Sequence, residues 1–311
     1  MKSTLYFLFS MMIFGAVGIF AKYISLDSCQ IAFFVSLIGA LCLLCSLTRK
    51  KAAFILPAVR KNILLLLAAS IALSGNWIFL FQAYKNTTIA NAALSYYLAP
   101  VLVILASPLI LQEKFSLKKL LCTGASLSGL FLILQNGLSA DTQYSAAGML
   151  YGLCAACFYA ALTIINKFIK NLDGLTNTFF QLLLAAVLLA GYSLTAGSGL
   201  YLPVNAQDIV LLLLLGICHG GIGFYLFFTS LPSLDGQSIA VLSYADPLTS
   251  LLVSVLCLGE AMNLQQCIGA FILFSSIWLA EKTPVSHRHT SISAETLSDR
   301  EPDVSPQRYC K

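Results

Sequence analysis

The chain has 311 residues, of which 59% are hydrophobic and only 10% charged, with a mean hydropathy of +0.86. Soluble domains carry about a quarter charged residues, so charge this sparse excludes a fully water-facing surface and makes lipid the solvent for much of the molecule. The net charge of +5 does not mark a nucleic-acid partner, because the basic residues fall into the loops of a membrane topology.

A helix crosses the ~30 Å hydrocarbon layer with about 20 apolar residues. Stretches of this kind run near 4–24, 30–47, 62–84, 88–111 and 118–136. Five more run near 146–166, 175–196, 207–229, 236–258 and 264–280. None alternates polar and apolar residues, so spanning helices rather than a barrel are predicted. The first stretch follows Lys2 as a signal peptide would, but its length and the want of a small-residue cleavage site predict that it is retained. Residues 282–311, with His287, Arg288, Asp299, Glu301, Pro302 and Pro306, change character and predict a solvated, disordered tail.

If the N-terminus is cytoplasmic, every one of the 18 Lys and Arg residues except Lys22 and Lys85 falls on the cytoplasmic side of ten spans. The positive-inside rule then places both termini there. Cysteines such as Cys42, Cys122 and Cys218 sit in apolar runs, where a thiol acts as a small hydrophobe. Cys154 and Cys157 have CxxC spacing but no second pair, and no cofactor or metal is expected.

The second five spans echo the first. Tyr97, Pro100, Glu113 and Leu117 recur 147 positions later as Tyr244, Pro247, Glu260 and Leu264. Gly75, Leu80 and Phe81 recur at an offset of 146 as Gly221, Leu226 and Phe227, and Leu5, Tyr6, Lys22 and Ile24 at 145 as Leu150, Tyr151, Lys167 and Ile169. Ser116 and Asn263, equivalent positions, are both good N-caps. A five-span unit starts on one side of the membrane and ends on the other, so its duplicate lies upside down. Inverted repeats of this kind let one site be reached alternately from two faces. The reading is an all-α membrane protein of ten transmembrane helices in two inverted five-helix repeats, 1–137 and 138–281, followed by a cytoplasmic tail.

The run Ser95-Tyr96-Tyr97-Leu98-Ala99-Pro100 through Leu111-Gln112-Glu113, with its second copy Leu242-Ser243-Tyr244-Ala245-Asp246-Pro247 through Leu258-Gly259-Glu260, resembles the EamA-type, ten-helix branch of the drug/metabolite transporter superfamily. Gln112 stands where the family usually has glycine. The resemblance covers roughly 1–281. It implies a secondary carrier of a bacterial inner membrane with a central cavity lined by both halves, moving an amino acid or related metabolite, with export expected and uptake or exchange as alternatives.

Several residues are candidates for that cavity. Asp246, about twelve residues into its span, is costly to place in lipid and is expected to face an aqueous cavity or a partner. Burial would make it a proton-coupling candidate, while its bland role is to satisfy amides freed by Pro247. Pro100 and Pro247 fall near mid-span and predict helix kinks, which shape helices and recur at substrate sites. His219, within a glycine-rich run, lines a cavity, relays a proton or simply packs. Asn76, Trp77, Tyr97 and Tyr244 lie too deep for an interfacial belt and suit an amphiphilic or cationic solute, with core packing as the other reading. Glu113 and Glu260 read as turn residues. An intramembrane enzyme lacks its motifs here: no HExxH, no GxSxG and no paired intramembrane aspartates. A channel would need a filter loop, for which these connections are too short. Partners are a small-molecule substrate and membrane lipid; oligomeric state is not set by the sequence.

Overall fold

A computed structural model describes residues 2–21, 23–48, 52–87, 89–135, 146–195, 199, 201–202, 205–258 and 263–282. The regular elements among the described residues are all helices, with no strand. The helices are α1 (Lys2–Ala21), α2 (Ser28–Leu47), α3 (Ala52–Asn86), α4 (Ile89–Tyr96), α5 (Ala99–Ile110), α6 (Leu117–Leu134), α7 (Ala146–Phe168) and α8 (Gly174–Thr195). After these come α9 (Ala206–Leu215), a π-helical segment (Gly216–Gly223), α10 (Phe224–Ser230) and a 3-10 turn (Leu231–Ser233). The chain continues with α11 (Gly236–Leu242), α12 (Ala245–Leu258) and α13 (Leu264–Glu281).

Seven apolar helical stretches among the described residues are long enough to cross a membrane: 28–47, 56–83, 91–110, 117–134, 146–168, 174–195 and 206–233. With lipid as solvent their outer faces stay apolar, and Leu64, Leu109, Leu256 and Phe271 are each more than 70% exposed. The protein is therefore an integral membrane protein. The third helix starts ten residues ahead of the expected apolar run, carrying Arg60 and Lys61 on its exposed surface. The tail from 283 onward lies outside the described residues, as do Glu260 and Lys22.

Side-chain caps fix several helix starts by satisfying free backbone amides. Asp27 accepts from Cys29 N, Ser116 from Lys119 N and Asp235 from Ser238 N. Asn263 and Gln266 form a reciprocal capping box ahead of α13.

Two of the expected spans are each two helices. A proline has no N–H to donate, and its ring crowds the carbonyl four residues back. The chain turns at Tyr97–Leu98 ahead of Pro100 and at Ser243–Tyr244 ahead of Pro247. Tighter bonds bridge the breaks: Leu98 N to Ser95 O at 3.3 Å, Tyr244 N to Val241 O at 3.2 Å and Asp246 N to Ser243 O at 3.2 Å.

Without water to drive helices together, close packing through small residues does so. A Cβ on Gly129 of α6 would lie 2.7 Å from Gly269 O of α13 and 3.2 Å from Ile272, whereas one on Gly269 would meet Ile133 at 2.9 Å. Residue numbers rise on one helix as they fall on the other, so the two run antiparallel. Gly39 of α2 abuts Gly220 of the π-helical segment, and Gly75 of α3 abuts Phe158 of α7. Gly216 lies against Ile38, while Gly148 and Gly152 lie against Thr87 and Ser95. A buried polar knot ties α7 to α8: Gln181 Nε2 donates to Asn166 Oδ1 and Asn177 Oδ1, both at 2.7 Å.

Candidate functional site

The two helix breaks meet in the middle of the bundle. Tyr244, at the second break and fully buried, donates its hydroxyl to Tyr97 O at the first break, 3.1 Å away. The Tyr97 hydroxyl in turn hydrogen-bonds the Asp246 carboxylate. Asp246 is half-buried, lies three residues past the break, and has no basic side chain paired with it among the described residues. Its backbone carbonyl backs onto Gly15 of α1, where a side chain would collide. Tyr97 packs against Tyr96 with the rings tilted and their centroids 5.5 Å apart, and Tyr96 meets Tyr159 of α7 edge-on at 5.9 Å. The Tyr159 hydroxyl sits 3.3 Å from Ser243 Oγ. Tyr96, Tyr97, Tyr159 and Asp246 all keep partial exposure among helices from both halves. The arrangement sets one carboxylate beside tyrosine faces and hydroxyls, a chemistry suited to an amine-bearing solute.

His219 lies on the π-helical segment, an irregularity that recurs at functional sites. Its ring packs on Phe14 at 4.7 Å and Phe224 at 5.2 Å, with Trp77 at 6.2 Å. The buried Nδ1 has no hydrogen-bond partner. Trp77 is buried against Phe224. From Phe224 the aromatic contacts run through Phe227 to Tyr159, so His219 and Asp246 are flanked by one continuous aromatic cluster. Asn76 stands apart: it is buried, and its amide donates to Ala155 O at 2.9 Å, clamping α3 to α7. Of the sequence candidates, the structure thus brings Tyr97, Tyr244 and Asp246 into one hydrogen-bonded chain, puts His219 with Trp77, and leaves Asn76 between two helices. Among the described residues no group of histidine, cysteine and carboxylate side chains is set to hold a metal.

Sequence reasoning did not find Tyr159, nor a charged cluster where the 111–116 segment meets the start of α11. Lys119 Nζ, on a side chain only 2% exposed, contacts Asp235 Oδ2 at 2.6 Å, Asp235 Oδ1 at 2.9 Å and Ser238 Oγ at 2.8 Å. Glu113 accepts from Gly236 N through both oxygens at 2.9 Å and lies 3.9 Å from Lys167 Nζ. Lys167 also donates to the carbonyls of Leu231 and Leu234. Burial pushes the Glu113 carboxyl above its ordinary value, against the pull of the Gly236 amide and Lys167. Burial acts the same way on Asp235, but Lys119 and Ser238 outweigh it and hold that carboxyl below its ordinary value. The signal for Lys119 was the inward stripe Lys119, Cys122, Ser126, Gly129, Leu130 and Ile133, which puts it on the packed face of α6, with Lys118 facing out.

Residues 1–135 and 146–281 each match the EamA-like transporter family. An uncharacterized transporter YxxF of Bacillus subtilis is 30% identical over 275 residues, spanning 87% of this chain and 86% of the relative. An uncharacterized inner membrane transporter YicL of Salmonella typhimurium is 25% identical, spanning 89% and 94%. A crystal structure superposes with a TM-score of 0.78 at 21% identity, over 89% of this chain and 96% of that one, which shows a shared fold. With two matched stretches spanning the membrane helices, this chain belongs to the EamA-like transporter family.

Proposed function

We propose that this transporter is a secondary carrier working by alternating access, built as ten spans in two inverted five-span repeats, 1–137 and 138–281. In this reading it exports an amino acid or related metabolite across a bacterial inner membrane, and both termini are cytoplasmic. The observation that carries it is a set of helix contacts that survives exchange of the two halves. Replacing α1 by α7, α2 by α8, α3 by the α9–α10 rod, α4–α5 by α11–α12, and α6 by α13 turns α3·α7 into α1·α10. It turns α2 with the π-helical segment into α3·α8, and α1·α12 into α5·α7, while α2·α8 and α6·α13 return to themselves.

Individual hydrogen bonds support the exchange. Asn62 donates to Lys170 O at 2.9 Å and accepts from Lys170 N at 3.4 Å. At the sequence-equivalent positions, Asp208 accepts from Ser25 N at 3.2 Å and from the Ser25 hydroxyl. The antiparallel course of α6 and α13, each the last span of its half, fits inversion.

The substrate site lies where the breaks ahead of Pro100 and Pro247 meet. Asp246 binds the solute's amino group or a proton in turn, Tyr97 and Tyr244 orient it, and His219 and Trp77 close the far wall. Asn76 holds that wall through Ala155. Saturable flux of an amino acid from loaded proteoliposomes, sensitive to counter-solute, is the expected result; non-saturating ohmic current removes the carrier reading, and flux only in the inward direction reverses the export assignment. A thermal-stability screen of the purified protein against metabolites identifies the solute, since a ligand that binds only the folded state raises the midpoint. Asp246→Asn is expected to abolish any dependence of flux on a pH gradient; unchanged coupling in that variant removes Asp246 from the coupling step.

A further inference from the structure

We propose that the four-charge cluster at the start of α11 is a one-sided latch, holding its own face of the bundle closed so that the resting protein opens to the opposite face. The proposal rests on the alternating-access reading above.

Both ion pairs of the cluster bridge the two halves. Glu113 and Lys119 belong to the first half, Lys167 and Asp235 to the second. Each half contributes one lysine and one carboxylate, and each of these charges has its partner across the seam, so it is paired only while the halves are together. Gln237 adds two more cross-half bonds, accepting from Ser116 N and donating to Lys114 O, each at 2.8 Å. The approach is close: a side chain at Gly236 would collide with Ser107 of α5.

Lys119 is badly placed by itself. It sits in the first turn of α6, where the helix dipole disfavours a cation, and it is almost wholly removed from water, which is costly for an unpaired charge. Asp235 offsets both. The pair separates only if both members are rehydrated, and that requires the face to open.

The opposite face cannot build the same device. At the equivalent positions Gln266 stands for Lys119, Thr88 for Asp235 and Ala90 for Gln237, although Glu260 and Lys22 stand for Glu113 and Lys167. Gln266 is committed to the capping box with Asn263. The Asn62–Lys170 and Asp208–Ser25 contacts occur on both faces and cancel. Among the described residues the opposite face adds one bond of its own between the halves, Gln30 Nε2 to Gly199 O at 3.1 Å, against a buried ion pair and two Gln237 bonds on the Lys119 face.

Hydrogen–deuterium exchange of the full-length protein in phospholipid nanodiscs tests this without a known substrate. Lys119→Gln with Asp235→Thr gives the latch the residues of its counterpart. Exchange in 111–120 and 231–242 is expected to rise, and exchange in 86–95 and 258–268 to fall, because opening one face closes the other. The change in open-to-closed ratio should lie within about 5- to 150-fold, the usual span of conformational coupling. Lys119→Asp with Asp235→Lys is expected to restore the wild-type pattern. If the double variant fails to fold, Ser238→Ala, which removes one acceptor of Lys119, should give the same opposed changes more weakly. A rise on the latch face without a matching fall opposite, or no change on either face, overturns the latch. Those results leave transport standing if the wild-type protein still gives saturable flux, whereas absence of flux and of any ligand-induced thermal shift removes the carrier reading itself.

Discussion

Lys119 and Asp235 show how a single pair can carry much of a contact between halves. Removing one partner of a buried ion pair strands the other and costs about 3–5 kcal/mol, while removing both costs far less. Lys119→Ala is therefore expected to lower stability by that amount in chemical unfolding, and adding Asp235→Ala to recover part of it; additive losses would show that the two do not interact. The pair also has a pH signature. Asp235 is held below its ordinary value in the folded protein, so folding favours its ionised form. That stabilisation is complete above the ordinary carboxylate pKa of about 4 and lost as pH falls through the lower folded value. Glu113, held above its ordinary value, shifts stability the opposite way over a higher range, so the measurement belongs in a Glu113→Gln background. There, thermal midpoints should fall with acid below about pH 4, and Lys119→Gln should flatten that fall.

At the scale of the helix, small residues decide how closely neighbours approach. Gly129 and Gly269 bring α6 and α13 into backbone contact, with only 2.7 Å between a Cβ on Gly129 and Gly269 O. Gly129→Leu is expected to force the pair apart and cost about 1–3 kcal/mol or more, read as a lower thermal midpoint; Gly124→Ala, where a Cβ meets nothing within 4 Å, is the neutral control. Much of this level was legible beforehand. Apolar length marked the membrane helices, Ser116 and Asn263 marked helix starts, and Pro100 and Pro247 marked where two helices would be disturbed. The proline positions did not reveal full breaks, because whether a helix bends or stops depends on what bonds the freed backbone groups, here Tyr244 to Tyr97 O. Likewise the run Gly216-Ile-Cys-His-Gly220-Gly221-Ile-Gly223 reads as ordinary apolar helix by composition, and only tertiary packing on Gly39 and Phe14 settles its wider winding.

For the whole molecule, the alternating access proposed above would give one motion two end points related by a pseudo-two-fold axis in the membrane plane. Under the proposed topology, single cysteines at Gln143 and Gln207 should react with an impermeant reagent from the face opposite the C-terminus. Labelling from the same face as the tail would remove the inverted arrangement. Asp246 was conspicuous in the sequence as a carboxylate inside an apolar run, whereas its neighbour Tyr159 comes from a distant span and carries no sequence mark of its own. A site shared between halves is assembled by packing, and pairwise spacing along one chain does not encode it.

The π-helical segment has a consequence for angular register. Each residue of a regular helix advances the chain by about 100° around the axis, and wider turns such as this one arise where an extra residue is accommodated. Wound as regular helix with every residue kept, the rod would swing α10 by roughly 100° relative to α9. Phe224 and Phe227 would then leave the rings of Phe14, Trp77 and Tyr159 that they now touch. The wider winding thus acts as the rotational setting that aims α10 at the centre of the protein.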